Sequence, residues 1–162
     1  MNPLEIGQIL NELALNYDLK ATQLLDNRLI WGHSHILSAI WHARKAYQNN
    51  RMISKSLSME ILLYSAGFRQ IKKAVGLLGV TDTTESVLGV LIGDNEIKII
   101  NACKDAQTAL KLDLDLDLLY DYNLKLQYVL KMLKAEGFDG GDFSYSEIEN
   151  AILQRISLLA LE

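Results

Sequence analysis

Apolar residues recur at helical spacing along most of the chain. Ile6, Ile9, Leu10 and Leu13, behind Asn2 as a cap and Pro3 in the first turn, predict a helix to about Tyr17. Lys20–Leu25 reads as a short strand, which Asp26 and Asn27 break before the apolar Leu29-Ile30-Trp31. Gly32 and Ser34 open a second helix, His35 to about Asn49, with Ile36, Ala39, Ile40 and Ala43 facing inward. Ser56 and Ser58 are alternative caps for a helix through Met59, Ile61, Leu62 and Leu63 that stops at Ala66-Gly67. Ile71, Ala74, Val75 and Leu78 mark the buried side of another helix, which Gly79 ends.

The second half is less regular. Ser86–Gly93 is a dense apolar run expected as a buried strand. Beyond it, Gly93-Asp94-Asn95 either turns a hairpin into Glu96–Ile100 or provides Asp94 as cap for a helix to about Leu110, which Ala102, Ala106 and Ala109 favour. Leu112–Leu118 alternates strictly between leucine and aspartate, the period of a strand with one wet face. A helix then spans Asp121–Glu136, Phe138–Phe143 forms a loop, and a last helix carries Ile148, Ile152, Ile156 and Leu159. Ser146 with Glu149 fits a capping box for it, and Ser144 with Glu147 is a competing register. These elements predict one α+β (α/β-like) domain over residues 1–162, a small mixed sheet of about three strands covered by several helices.

Composition sharpens the helical reading, because 30 leucines and 15 isoleucines stand against 5 valines. No uninterrupted apolar stretch reaches the roughly 18 residues of a membrane-spanning helix, and Glu5 sits where a signal peptide would carry lysines. The lone Cys103 makes no internal bridge. A cytoplasmic protein with no membrane partner is the expectation.

Charge is unevenly spread. The net charge is -4, yet between Asn27 and Val80 stand Arg28, Arg44, Lys45, Arg51, Lys55, Arg69, Lys72 and Lys73 against the single acid Glu60, a local balance of +7 that leaves -11 elsewhere. Either these bases form one face that attracts a polyanion while the acidic remainder preserves solubility, or they belong to separate solvated helix faces. Arg69, Lys72 and Lys73 crowd the start of a helix, where cations oppose the dipole, so local helix energetics do not explain them. Either free amides beside a guanidinium and the Gln70 amide hold a phosphate or a nucleotide end there, or the segment is a helical hairpin whose glycine merely permits the corner.

A catalytic centre is not legible. His35 and His42 lie about 10 Å apart along a helix, too far to share an ion. Cys103 has no nearby base, no G-x-S-x-G surrounds a serine, and the glycines match neither phosphate-cradling motif. No metal site, cofactor or catalytic residue is assigned.

The segments HSHILSAIWHARKAY and KSLSMEILLYSAGFRQIKKAVGLLGV resemble the archaeal type of the small KEOPS subunit family of the PRPK-binding protein, TPRKB. Ser58, Glu60, Ile61, Leu62, Gly67, Arg69, Gln70, Ile71, Ala74 and Gly79 carry the match, and ILQRISLLALE adds looser support. Members of that family begin with a further strand, for which this sequence has helix formers instead, and the acidic leucine repeat is unusual among them. The resemblance implies a non-enzymatic subunit of the complex that places threonylcarbamoyl on tRNA adenosine. Such a subunit binds the small atypical kinase or ATPase of KEOPS, meets the other subunits indirectly, and recruits tRNA through its 3′ CCA end. On that basis Arg69 and Gln70 are expected to hold the terminal nucleotides and Lys55, Lys72 and Lys73 the adjoining phosphates, with Arg51 and His33 at the rim. For the kinase, Ile152, Ile156 and Leu159 are read either as an apolar stripe exposed on the last helix, with Trp41 nearby, or equally well as part of the core. The alternative is a protein-only adaptor that regulates the kinase without touching RNA.

Overall fold

The computed structural model describes residues 2–135, 137 and 143–161. Its elements run α1 (Pro3–Tyr17), β1 (Ala21–Asp26), a 3-10 turn (Asn27–Leu29), α2 (Gly32–Gln48), α3 (Leu57–Ala66) and α4 (Ile71–Leu78). They continue with β2 (Val87–Ile92), α5 (Glu96–Leu110), a second 3-10 turn (Asp117–Leu119), α6 (Tyr122–Ala135) and α7 (Tyr145–Leu159). The α+β class is as the pattern predicts. Asn2 caps α1 through the Leu4 amide, with Pro3 opening the helix.

Among the described residues the sheet has two strands where about three are expected. β1 and β2 pair antiparallel, Ala21 opposite Ile92 and Asp26 opposite Val87. The alternating Leu112–Leu118 segment is irregular and ends in the 3-10 turn, its Leu114 and Leu116 exposed. On the edge of β1 away from β2, the Thr22 amide donates to Ser58 Oγ (3.2 Å) and Gln23 Nε2 to the Ser58 carbonyl (3.2 Å), so that α3 rather than a third strand meets it there.

Helix ends depart from expectation in instructive ways. The open choice after β2 resolves to α5, capped by Asn95 rather than Asp94; Asp94 instead pairs with Lys20. α2 begins at Gly32, three residues early, because His35 Nδ1 accepts the Trp31 amide at 2.9 Å. Ser56 caps α3, which frees Ser58 for β1. α7 uses the Ser144–Glu147 capping box rather than Ser146–Glu149. The Asp121 side chain accepts the Leu124 amide at the start of α6. The end of that helix at Glu136 and most of the loop expected over Phe138–Phe143 lie outside the described residues.

α2, α3 and α7 pack around one core that includes Leu25, Ile30, Ala39, Ile61, Leu63, Ile148 and Ile156. A smaller cluster of Ile6, Leu10, Leu24 and Leu110 seats α1 and α5 on β1. Trp31, Tyr122 and Tyr145 form a ring triad, with centroids 4.9 to 5.5 Å apart, that joins α2 to α6 and α7.

Candidate nucleic-acid interface

The corner between α3 and α4 is built from the backbone outward. Gly67 takes the left-handed conformation (φ +68°) that ends α3. Its amide donates to the Tyr64 carbonyl and that of Phe68 to Leu63, a Schellman arrangement. The next two carbonyls take side chains from distant helices. His35 Nε2 donates to the Ser65 carbonyl at 2.8 Å, and Arg155 NH2 donates to that of Ala66 at 3.0 Å. All four carbonyls of the last turn are thus satisfied. Since Nδ1 of His35 accepts the Trp31 amide, the ring proton sits on Nε2. Burial, helped by Arg155 and Lys125, pushes the His35 pKa down to about 4, so the ring is neutral.

Arg69, Gln70, Lys72 and Lys73 all project into solvent from this corner. Gln70 precedes the first turn of α4 without a side-chain cap. Phe68, half-buried, lies between two cations, with the Arg155 guanidinium 5.2 Å and Lys73 Nζ 5.8 Å from its ring centre. A second run of rings leads away across α2. Lys45 Nζ sits 4.7 Å over the exposed Trp41 ring, Trp41 meets His42 edge-on, and His42 stacks on Tyr64 at 5.7 Å. Burial raises the Tyr64 hydroxyl pKa, and nearby Arg69 opposes the rise.

The other expected contacts are not gathered at the corner. Lys55 and Arg51 are exposed before the start of α3, a helix length of about 15 Å away. Their loop is fixed by the buried Glu60, whose carboxylate accepts from the Ile53 amide (3.0 Å), the Ser54 amide (2.9 Å) and Ser54 Oγ (2.7 Å). His33 stands at the opposite end of α2 from Arg51. The expected cations are therefore densest at Arg69–Lys73. Single-stranded nucleic acid is in general held by bases stacked on rings and phosphates met by cations.

Ile152, Ile156 and Leu159 do not form an exposed stripe: at 4%, 1% and 6% exposure they belong to the core. The 3.6-residue period that marks a helix face does not say which neighbour covers it. Trp41, in contrast, is 57% exposed. Sequence reasoning missed Phe68 and Arg155 at the corner. Arg155 reaches it from 89 positions along the chain and leaves no local signal, whereas Lys45 one helical turn after Trp41 was a readable pair. Among the described residues no three His, Cys, Asp or Glu side chains come together to hold a metal ion.

A family model described as kinase binding protein CGI-121 matches residues 2–160. The EKC/KEOPS complex subunit CGI121 of Coccidioides immitis (strain RS) is 32% identical over 68 residues, covering 42% of this chain and 33% of that protein. The match thus spans about a third of the length of that curated relative. With nearly every residue matched by the family model, the chain belongs to the CGI-121 kinase binding protein family.

Proposed function

We propose that this chain is a non-catalytic subunit of the KEOPS complex for tRNA threonylcarbamoyladenosine modification. It binds the small atypical kinase or ATPase of that complex, acts in the cytoplasm, and recruits tRNA by its 3′ CCA end. Family membership supports the kinase-binding half. The observation that carries the tRNA half is the exposed quartet Arg69, Gln70, Lys72 and Lys73 beside the ring of Phe68. A flexible ribonucleotide end is met there by stacking and phosphate contacts, and Lys55 and Arg51 continue the path for the strand. His33 falls outside that path. For the kinase, the exposed Leu37 and Trp41, one turn apart on α2, replace the buried residues of α7 as the apolar surface.

The test is binding of tRNA with and without its CCA end to wild type, Arg69→Glu and Lys73→Glu. Each charge reversal is expected to weaken intact tRNA roughly tenfold at low salt and to flatten the salt dependence, with helical content unchanged. Unchanged affinity overturns the tRNA assignment. The second reading, a protein-only adaptor, is favoured by the family description, which names a kinase and no RNA. It predicts that trimmed and intact tRNA bind equally poorly while the kinase still co-purifies. The isolated chain is expected to show no turnover on either reading.

A further inference from the structure

Among the described residues β2 pairs on one side only. The Asn27 amide donates to the Ser86 carbonyl at 3.0 Å, which sets the alternation of the ladder. Ser86, Leu88, Val90 and Ile92 turn their backbone groups toward β1, and Val87, Gly89 and Leu91 turn theirs away. The Thr22 amide obeys the same alternation from the other strand, since it leaves β2 for Ser58 Oγ. No hydrogen bond from any other described residue reaches Val87, Gly89 or Leu91. The edge is also undefended. Residues 86–93 carry no charge and no proline, the usual devices that keep one strand edge from meeting another.

Gly89 sits at the middle of this edge and is the one exposed residue of the strand. Its φ is not left-handed, and a Cβ there would meet only Leu24 Cδ2 at 3.6 Å and Leu91 Cδ1 at 4.0 Å, which are ordinary contacts. The protomer itself therefore has no need of glycine. Within a strand glycine costs stability, and it suits a place where another backbone comes close.

We propose that the β2 edge pairs with the β2 edge of a second copy of this chain, antiparallel about a two-fold axis at Gly89. The two sheets then join as four strands in the order β1-β2-β2-β1. The register is self-complementary: Gly89 faces its own copy, and Val87 of each chain faces Leu91 of the other. Each of these pairs exchanges both of its N–H to carbonyl bonds, so every outward group of the edge is used. Val87 packs partly against the cluster under α1, and Leu91 shares its face by the two-residue period. Pairing covers what the protomer leaves open of both. The nearest acids stand at the strand ends, where Glu85 faces Gly93 of the other copy and Asp94 is already paired with Lys20. No residue of this edge belongs to the Arg69 corner, so the pairing does not rest on either reading of the function.

Sedimentation equilibrium of the full chain from about 5 to 500 µM tests this. A strand edge without interlocking helices is a small interface, and a monomer–dimer equilibrium with a Kd of about 10–100 µM is expected. Gly89→Lys and Gly89→Glu each set like charges opposite one another across the axis and are expected to weaken association about tenfold or more. Both leave the contacts within the protomer in place, so their circular dichroism is expected to match wild type. An equimolar mixture of the two variants sets opposite charges across the axis and is expected to restore the dimer. Amide exchange followed by NMR is expected to slow roughly fivefold at Gly89 and Leu91 between dilute and concentrated wild type, with Leu88 and Val90 unchanged. A chain that stays monomeric throughout overturns the proposal. So does a dimer that either charged variant leaves intact, or one that the mixture does not restore, because its contact then lies elsewhere. Protection of Gly89 that appears only when the kinase is added gives the edge to a strand of that protein and overturns it as well.

Discussion

Lys125 is fully enclosed on α6, with its Nζ donating to Asn27 Oδ1 (3.0 Å) and to the carbonyls of Ile30 (2.8 Å) and Leu119 (2.9 Å). All three ammonium protons are spent on neutral acceptors, so no ion pair offsets its desolvation. Burial accordingly pushes its pKa down to about 8, with Asp121 opposing. The residue stitches the turn after β1 and the segment before α6 into one unit. Lys125→Met would remove the charge but strand three buried acceptors. The expected loss is about 2–4 kcal/mol, seen as a fall in Tm of roughly 5–15 °C in thermal denaturation. Nothing in the sequence marks this lysine off from its exposed neighbours. Glu60 is the counterpart: conspicuous as the one acid in a basic stretch, it anchors the loop before α3 and forms no ion pair among the described residues.

At the scale of elements, what was legible is what depends on nearby residues. Asn2-Pro3, Ser56 and Gly67 mark helix ends through groups two to four positions away, and the apolar stripes place α1 to α4 within a few residues. What failed depends on remote partners. The Leu112–Leu118 alternation carries the correct period for a strand, but a strand also needs a remote partner, and among the described residues only β1 and β2 pair. The corner shows the same division. Its exposed cations and glycine were readable, while the Arg155 clamp behind them was not. Gly67→Ala tests how much that clamp constrains the turn. The new methyl must adopt a left-handed backbone and would sit 3.1 to 3.3 Å from the Arg155 guanidinium. A loss of about 1–2 kcal/mol, or a drop of roughly 2–8 °C in Tm, is expected. Phe68 should lose its fixed orientation together with it, because the same guanidinium faces its ring.

Over the whole molecule, two buried bases on either side of neutrality shape the pH dependence of stability. His35 has a folded pKa of about 4 against 6.5 when free, so between those values the unfolded chain binds a proton that the folded chain refuses. Stability therefore falls as pH drops through that window, by up to about 1.4 kcal/mol per pH unit. Lys125 has a folded pKa of about 8 against 10.5, and the same sign applies at higher pH: the unfolded chain again holds the extra proton, so stability rises across that window. Above about pH 10 the buried Tyr64 and the half-buried Tyr122 oppose this, since desolvation raises their hydroxyl pKa values and the unfolded chain ionises first. The expected profile has an acid slope, a flat region near neutrality and an alkaline rise. Denaturant titrations from about pH 4.5 to 9.5 on wild type, His35→Gln and Lys125→Met assign the limbs. His35→Gln should flatten the acid slope alone and Lys125→Met the alkaline rise alone, each from a lower starting stability. An alkaline rise that survives in Lys125→Met would mean that the ammonium is not the group titrating, and that the three-carbonyl cage around it holds a lysine with its ordinary pKa.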